Sequence, residues 1–77
     1  MNVFRAKVLI DNGAKHISNT AITLAEHEAE AVSNFNKKLA RNADETVQIC
    51  ELQNIGTAEL SIFTPYPVVY VISEHPI

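Results

Sequence analysis

Val68-Val69-Tyr70-Val71-Ile72 is apolar at every position. A strand with one wet face alternates apolar and polar residues, so an unbroken apolar run expects cover on both of its faces. Elsewhere the sequence supplies one helix, which can shield one face of a small sheet. The other face is therefore expected to meet a second copy of the chain or a protein partner. That is a statement about contact and not about chemistry.

Ahead of the run, Thr64-Pro65-Tyr66-Pro67 breaks any strand pattern, because proline cannot donate to a ladder, and it sets the last strand at 68–72. The Tyr66-Pro67 bond is open to the cis form. Thr46 to Leu52 reads as a strand with Val47 and Ile49 inward. Asn54-Ile55-Gly56 is a turn signal leading to a strand over 58–63. The implied register sets Ile49 opposite Ile62 and Glu51 opposite Leu60, which leaves Cys50, Leu52 and Phe63 on the other face.

At the start of the chain, Phe4, Ala6, Val8 and Ile10 alternate with Val3, Arg5, Lys7 and Leu9. This is a strand with one apolar face. Asn12-Gly13 tolerates positive φ at both positions and predicts a two-residue hairpin turn over 3–22. Asp11 then faces Ala14, with Val8 opposite Ile17, Ala6 opposite Asn19 and Phe4 opposite Ala21. The outer face gathers Arg5, Lys7, His16, Ser18 and Thr20, flanked by Val3, Leu9 and Ile22. Thr23-Leu24-Ala25-Glu26 has the form of a capping box and predicts a helix over 24–41. Its apolar stripe is Ala25, Ala29, Val32, Phe35 and Leu39. Glu26, Glu28 and Glu30 crowd its start and Lys37, Lys38 and Arg41 its end, which complements the helix dipole. Asn42 suits a left-handed cap.

The order is strand, strand, helix, strand, strand, strand (ββαβββ), a single α+β domain with one helix on a mostly antiparallel sheet. In order alone it resembles the β-grasp arrangement of ubiquitin-like proteins. It ends Glu74-His75-Pro76-Ile77 and lacks the di-glycine tail that conjugation requires.

Seventy-seven residues make one domain near the lower limit for a self-sufficient core. An apolar share of 47% against 19% charged is that of a folding chain. The formal charge is −3, and the acids are spread without a run, so neither a nucleic-acid footprint nor an acidic tail is indicated. The single cysteine, Cys50, excludes an internal disulfide framework and fits a reducing compartment, so a cytoplasmic address is expected. Arg5 and Lys7 interrupt the first apolar stretch, as a signal-peptide core would not allow. No stretch reaches membrane-spanning length, and no membrane partner is expected.

Candidate chemistry is sparse. Cys50 lies mid-strand, where free cysteine acts as a small apolar residue and not as an activated thiol. His27 and Glu30 are one helical turn apart, but His16 and His75 stand elsewhere, so no metal-ligand spacing recurs. Gly13 and Gly56 are lone turn glycines and not a phosphate loop. Neither an enzyme nor a cofactor is expected. Nucleic-acid binding through Arg5 and Lys7, with Lys37, Lys38 and Arg41 at the helix end, is the second reading. It lacks an aromatic residue among the basic ones.

The first reading is apolar contact. Val69 and Val71 point opposite to Val68, Tyr70 and Ile72, and with Val3, Leu9, Ile22, Leu52 and Phe63 they can form a second hydrophobic face. Two plainer arrangements compete: a central strand screened by long neighbours, or the first hairpin folded over that face as a small barrel. The expectation is a non-enzymatic protein-protein interaction module, self-associating as a homodimer. In overall build it is similar to the small accessory proteins of bacteriophages and mobile elements, some of which inhibit a host protein by occlusion.

Overall fold

The computed structural model describes residues 1–11, 13–40, 45–59 and 67–76. The alternation at the start of the chain becomes β1 (Asn2–Asp11), with Phe4, Ala6, Val8 and Ile10 buried. Its hairpin partner is β2 (His16–Ala25). The register differs from the expected one by two residues: Asp11 pairs with His16, Val8 with Asn19, Ala6 with Ala21 and Phe4 with Thr23. Residues 12–15 therefore form the connection. Asp11 turns the chain through its own side chain, whose Oδ1 accepts from the Gly13 N–H at 2.7 Å, and Gly13 has φ +88°. Asn12 lies outside the described residues. A slip of two leaves every side chain on its intended face.

β2 runs through Thr23 to Ala25, so the expected capping box does not form and the helix does not start at Leu24. The alternating burial of Ala21, Thr23 and Ala25 keeps this segment extended. Helix α1 is Glu28–Leu39. Its N-cap is His27, whose Nδ1 accepts from the Glu30 N–H at 3.3 Å, while the Glu30 carboxylate accepts from the Glu26 N–H at 3.4 Å. The arrangement is like a capping box set one turn later than Thr23 implied, except that the Glu30 carboxylate bonds the residue before the cap and not the cap itself. The buried stripe is correspondingly Ala31, Asn34, Phe35 and Leu39, and Ala29 is exposed. Arg41 and Asn42 lie outside the described residues.

The third strand, β3, runs over Thr46–Thr57, and the fourth, β4, over Val69–Pro76. Together the described strands form one antiparallel sheet in the order β3-β1-β2-β4, with α1 following β2. The molecule is a single α+β domain. β3 takes the place beside β1 that a β-grasp-like order would give to the final strand, and the final strand pairs with β2 instead. The chain does not reverse at Asn54-Ile55-Gly56: Asn54 Oδ1 accepts from the Gly56 N–H at 3.1 Å in a local Asx turn, and β1 is long enough to pair as far as Thr57. Ile49 pairs with Val8, not Ile62. Of the strand expected over 58–63, Ala58 and Glu59 are outside any strand, and the remainder lies beyond the described residues.

Both outer strands are irregular. Ala6 alone stands opposite Glu51 and Leu52, between the pairs Arg5–Gln53 and Lys7–Cys50. Glu51 adopts φ +53°, the left-handed conformation that lets a strand take up an extra residue. Ile55 is extra between the Val3–Gly56 and Phe4–Asn54 pairs. In β4, Ile72 is extra between the Thr20–Ser73 and Ala21–Val71 pairs. The core lies between α1 and one sheet face. Phe4, Ala6, Val8, Ile10, Ala21, Ala25, Ala31, Phe35 and Leu39 fill it, with Ile17, Val47, Ile49, Leu52 and Val69 packed around them.

Candidate interaction surface

Among the described residues, one helix leaves two kinds of surface unpartnered: the sheet face away from α1, and the edges of β3 and β4. The open face carries the side chains that alternate with the core set. Val3, Leu9 and Ile22, expected on a second face, do stand there, and all three are partly buried. Leu52 and Val69 do not join them, because both pack against the core under α1. For Leu52 the reason is the bulge, since one extra residue at Glu51 reverses which face the following side chain takes. For Val69 it is pairing with the core residue Thr23. Phe63 lies outside the described residues. Val71 pairs with Ala21 and so belongs to the helix side, at a place α1 does not cover. The second hydrophobic face is thus smaller and more polar than the sequence implied.

The run at 68–72 is not the centre of the sheet. Val68 is buried and Val69 half-buried, but Tyr70, Val71 and Ile72 are 57%, 45% and 60% exposed on an edge strand. Among the described residues the other exposed large hydrophobic is Ile55, alone in the β3 bulge. The three on β4 are consecutive, so they present apolar surface on both sides of the sheet edge.

The position of β4 is set from inside. The Thr23 hydroxyl donates to the Val68 carbonyl at 2.6 Å, and Asn34 Nδ2 donates to the Thr23 hydroxyl at 3.1 Å and to the Leu24 carbonyl at 3.0 Å. This buried chain of bonds ties the helix, β2 and the start of β4 together. Thr23, immediately after the expected hairpin, and Asn34, in the expected helix, were its traces in the sequence. Asn19 is also buried, and its Oδ1 accepts no hydrogen bond from the described residues.

The basic residues are divided between layers. Arg5 and Lys7 lie on the open face, where Arg5 donates to Gln53 Oε1 at 3.2 Å. With Thr20, Glu51 and Gln53 they line a shallow groove of about 760 Å³. Lys37 and Lys38 sit on α1, across the sheet from that groove, and Arg41 is outside the described residues. The helix-end pair and the strand pair therefore do not form one track. Tyr70 pairs with Ile22, which pairs with Arg5, so an aromatic ring shares the basic face, contrary to the sequence expectation.

Cys50 is a free thiol, half-buried and paired with Lys7 across the ladder. His27 is engaged as a helix cap, and His16 forms an exposed pair with Asp11 at 3.1 Å. Among the described residues no three His, Cys, Asp or Glu side chains are grouped to hold a metal ion, and no helix is long and apolar enough to cross a membrane. Comparison with protein-family models, curated protein sequences and solved structures finds no match, so the surfaces themselves are the guide to function.

Proposed function

We propose that this chain is a non-enzymatic protein-binding module, cytoplasmic in location, whose contact element is the β4 edge. The supporting observation is the consecutive exposure of Tyr70, Val71 and Ile72 on a strand with one side unpaired among the described residues. An edge strand offers main-chain donors and acceptors, and apolar side chains on it add area and discrimination. β4 is the better edge for this purpose, since β3 is interrupted by two bulges and β4 by one. In build the chain is similar to phage and mobile-element accessory proteins. A rigid edge of this kind would act as they do, by covering a partner's surface and keeping another ligand off it.

The test compares the intact chain with Val71→Lys as bait, after circular dichroism shows that both are folded. Bound protein, whether a second copy or another chain, is expected with the intact chain and is expected to be lost with the variant. Equal binding by the two would overturn the reading.

A second reading has one observation in its favour, the presence of Tyr70 on the same face as Arg5 and Lys7. Ring stacking beside phosphate contacts is how open sheets hold single strands of nucleic acid. It ranks second because Glu51 lines the same groove and Lys37 and Lys38 lie in the other layer. Absence of any RNA or DNA shift at low salt would remove it.

A further inference from the structure

We infer that the β4 edge takes a second copy of this chain, strand against strand in the antiparallel sense, about a twofold axis at Val71. The inference rests on the reading of β4 as the contact strand and names its occupant. The result is a continuous sheet with the two helices on the same side.

The length of the seam follows from the sequence. Pro67 and Pro76 bracket the strand, and neither can donate a hydrogen bond, so pairing is confined between them. The bulge at Ile72 adds twist and shortens it further, to about Val69–Ser73. Side chains, not a long ladder, then carry the contact.

The register follows from matching those side chains. With Val71 on the axis, Val71 meets Val71 of the second copy and Tyr70 meets Ile72 of the second copy on either side of it. Every exposed apolar residue of β4 is then covered by another. An axis at Ile72 would put Tyr70 against Glu74, and one at Ser73 would put Ile72 against Glu74. With Val71 central, each Glu74 falls opposite Val68, beyond the end of the partner's β4, and the two carboxylates stay apart.

The sidedness of the patch also favours a copy of this chain over a bare peptide. Val71 shares the helix side with Ala21, and Tyr70 shares the open side with Ile22. A partner has to cover both sides of the edge at once, which a sheet carrying its own helix layer can do. An isologous contact supplies both halves by symmetry. The seam is short, so the dimer is expected at the weak end of specific interfaces and to dissociate on dilution.

Light scattering on a size-exclusion column over a tenfold concentration range should show mass rising toward that of a dimer, and Val71→Lys should hold it at the monomer. In a Cys50→Ser background, Val71→Cys should form a disulfide-linked dimer under mild oxidation at least tenfold faster than Ser73→Cys. The two residues at 71 are directly opposed across the axis, whereas the two at 73 are about 13 Å apart. A monomer at every concentration overturns the second-copy inference and leaves the binding-module reading standing. A dimer indifferent to Val71→Lys, or one that cross-links faster through position 73, overturns the seam. Ile72→Lys, at a still more exposed site, serves as the second variant should Val71→Lys not fold.

Discussion

Thr23 holds Val68 by a buried hydrogen bond of 2.6 Å, hydroxyl to carbonyl, and thereby fixes where the outermost strand begins. The same oxygen accepts from Asn34, so its loss would strand a donor and an acceptor together. Buried groups left without partners cost about 1–3 kcal/mol each. Thr23→Val keeps the shape and removes the hydroxyl, and is expected to destabilise by about 2–4 kcal/mol. For a chain of this size that lowers Tm by on the order of 10–20 °C. Thr23→Ser, which retains the oxygen, should lose about 1 kcal/mol or less. Calorimetry of the two variants checks the ordering.

Glu51 is held at φ +53°, a conformation that costs a residue with a Cβ about 1 kcal/mol relative to glycine. Glu51→Gly should therefore be neutral or stabilising by up to about 1 kcal/mol in urea unfolding, despite the flexibility it adds to the unfolded chain. Glu51→Val, β-branched in the same conformation, should destabilise by about 1–2 kcal/mol. A large loss in the glycine variant would mean that the bulge does not adopt this backbone.

His27 caps α1 with a ring nitrogen, a weaker choice than a carboxylate beside the positive end of the helix dipole. His27→Asp is expected to stabilise by about 0.5 kcal/mol and His27→Ala to destabilise by about 0.5–1 kcal/mol. Urea midpoints of the two variants, moving in opposite directions from the parent, are the outcome to look for.

Phe35 is fully buried between α1 and the sheet. Phe35→Ala should cost about 3–5 kcal/mol, most of the stability available to so small a domain, and leave the chain largely unfolded at 25 °C. Phe35→Leu should keep the native far-ultraviolet spectrum at a lower Tm. A folded Phe35→Ala variant of near-parental Tm would place the core elsewhere.

The first strand was legible because Phe4, Ala6, Val8 and Ile10 answer to a single period, and burial enforces that period whatever the register. The hairpin slipped by two because a two-residue turn at Asn12-Gly13 competed with an Asx turn initiated by Asp11, and the face pattern cannot separate them. Thr23 and Glu26 fitted a cap locally, but pairing of β2 as far as Ala25 outweighed a few hydrogen bonds at a helix start. Asn54-Ile55-Gly56 has the composition of a turn and serves instead as a bulge, a difference decided by β1, fifty residues earlier in the chain. Leu52 was misplaced for the same reason, as a left-handed glutamate carries no compositional mark. Val68 to Ile72 reads as a strand buried on both faces, whereas Tyr70, Val71 and Ile72 stand exposed on an outer strand of the sheet. An all-apolar strand has no period to say which face is inside, and its neighbours were not readable locally.

β1 and β2 both lie inside the sheet, and each waits for an outer neighbour made much later in the chain. The β1–β2 hairpin can close over a short loop, but the β3 side of β1 stays open until Thr57 has been made and can pair with Asn2. Until then the nascent chain exposes an unpaired central strand, the kind of edge that recruits chaperones or misassembles. The β4 contact closes the longer span, Thr23 to Val69 at its nearest against Asp11 to Thr46 for β3, so β4 docking is the expected slow step of refolding. This fold's kinetic weak points are thus the two strands that are most protected in the finished molecule.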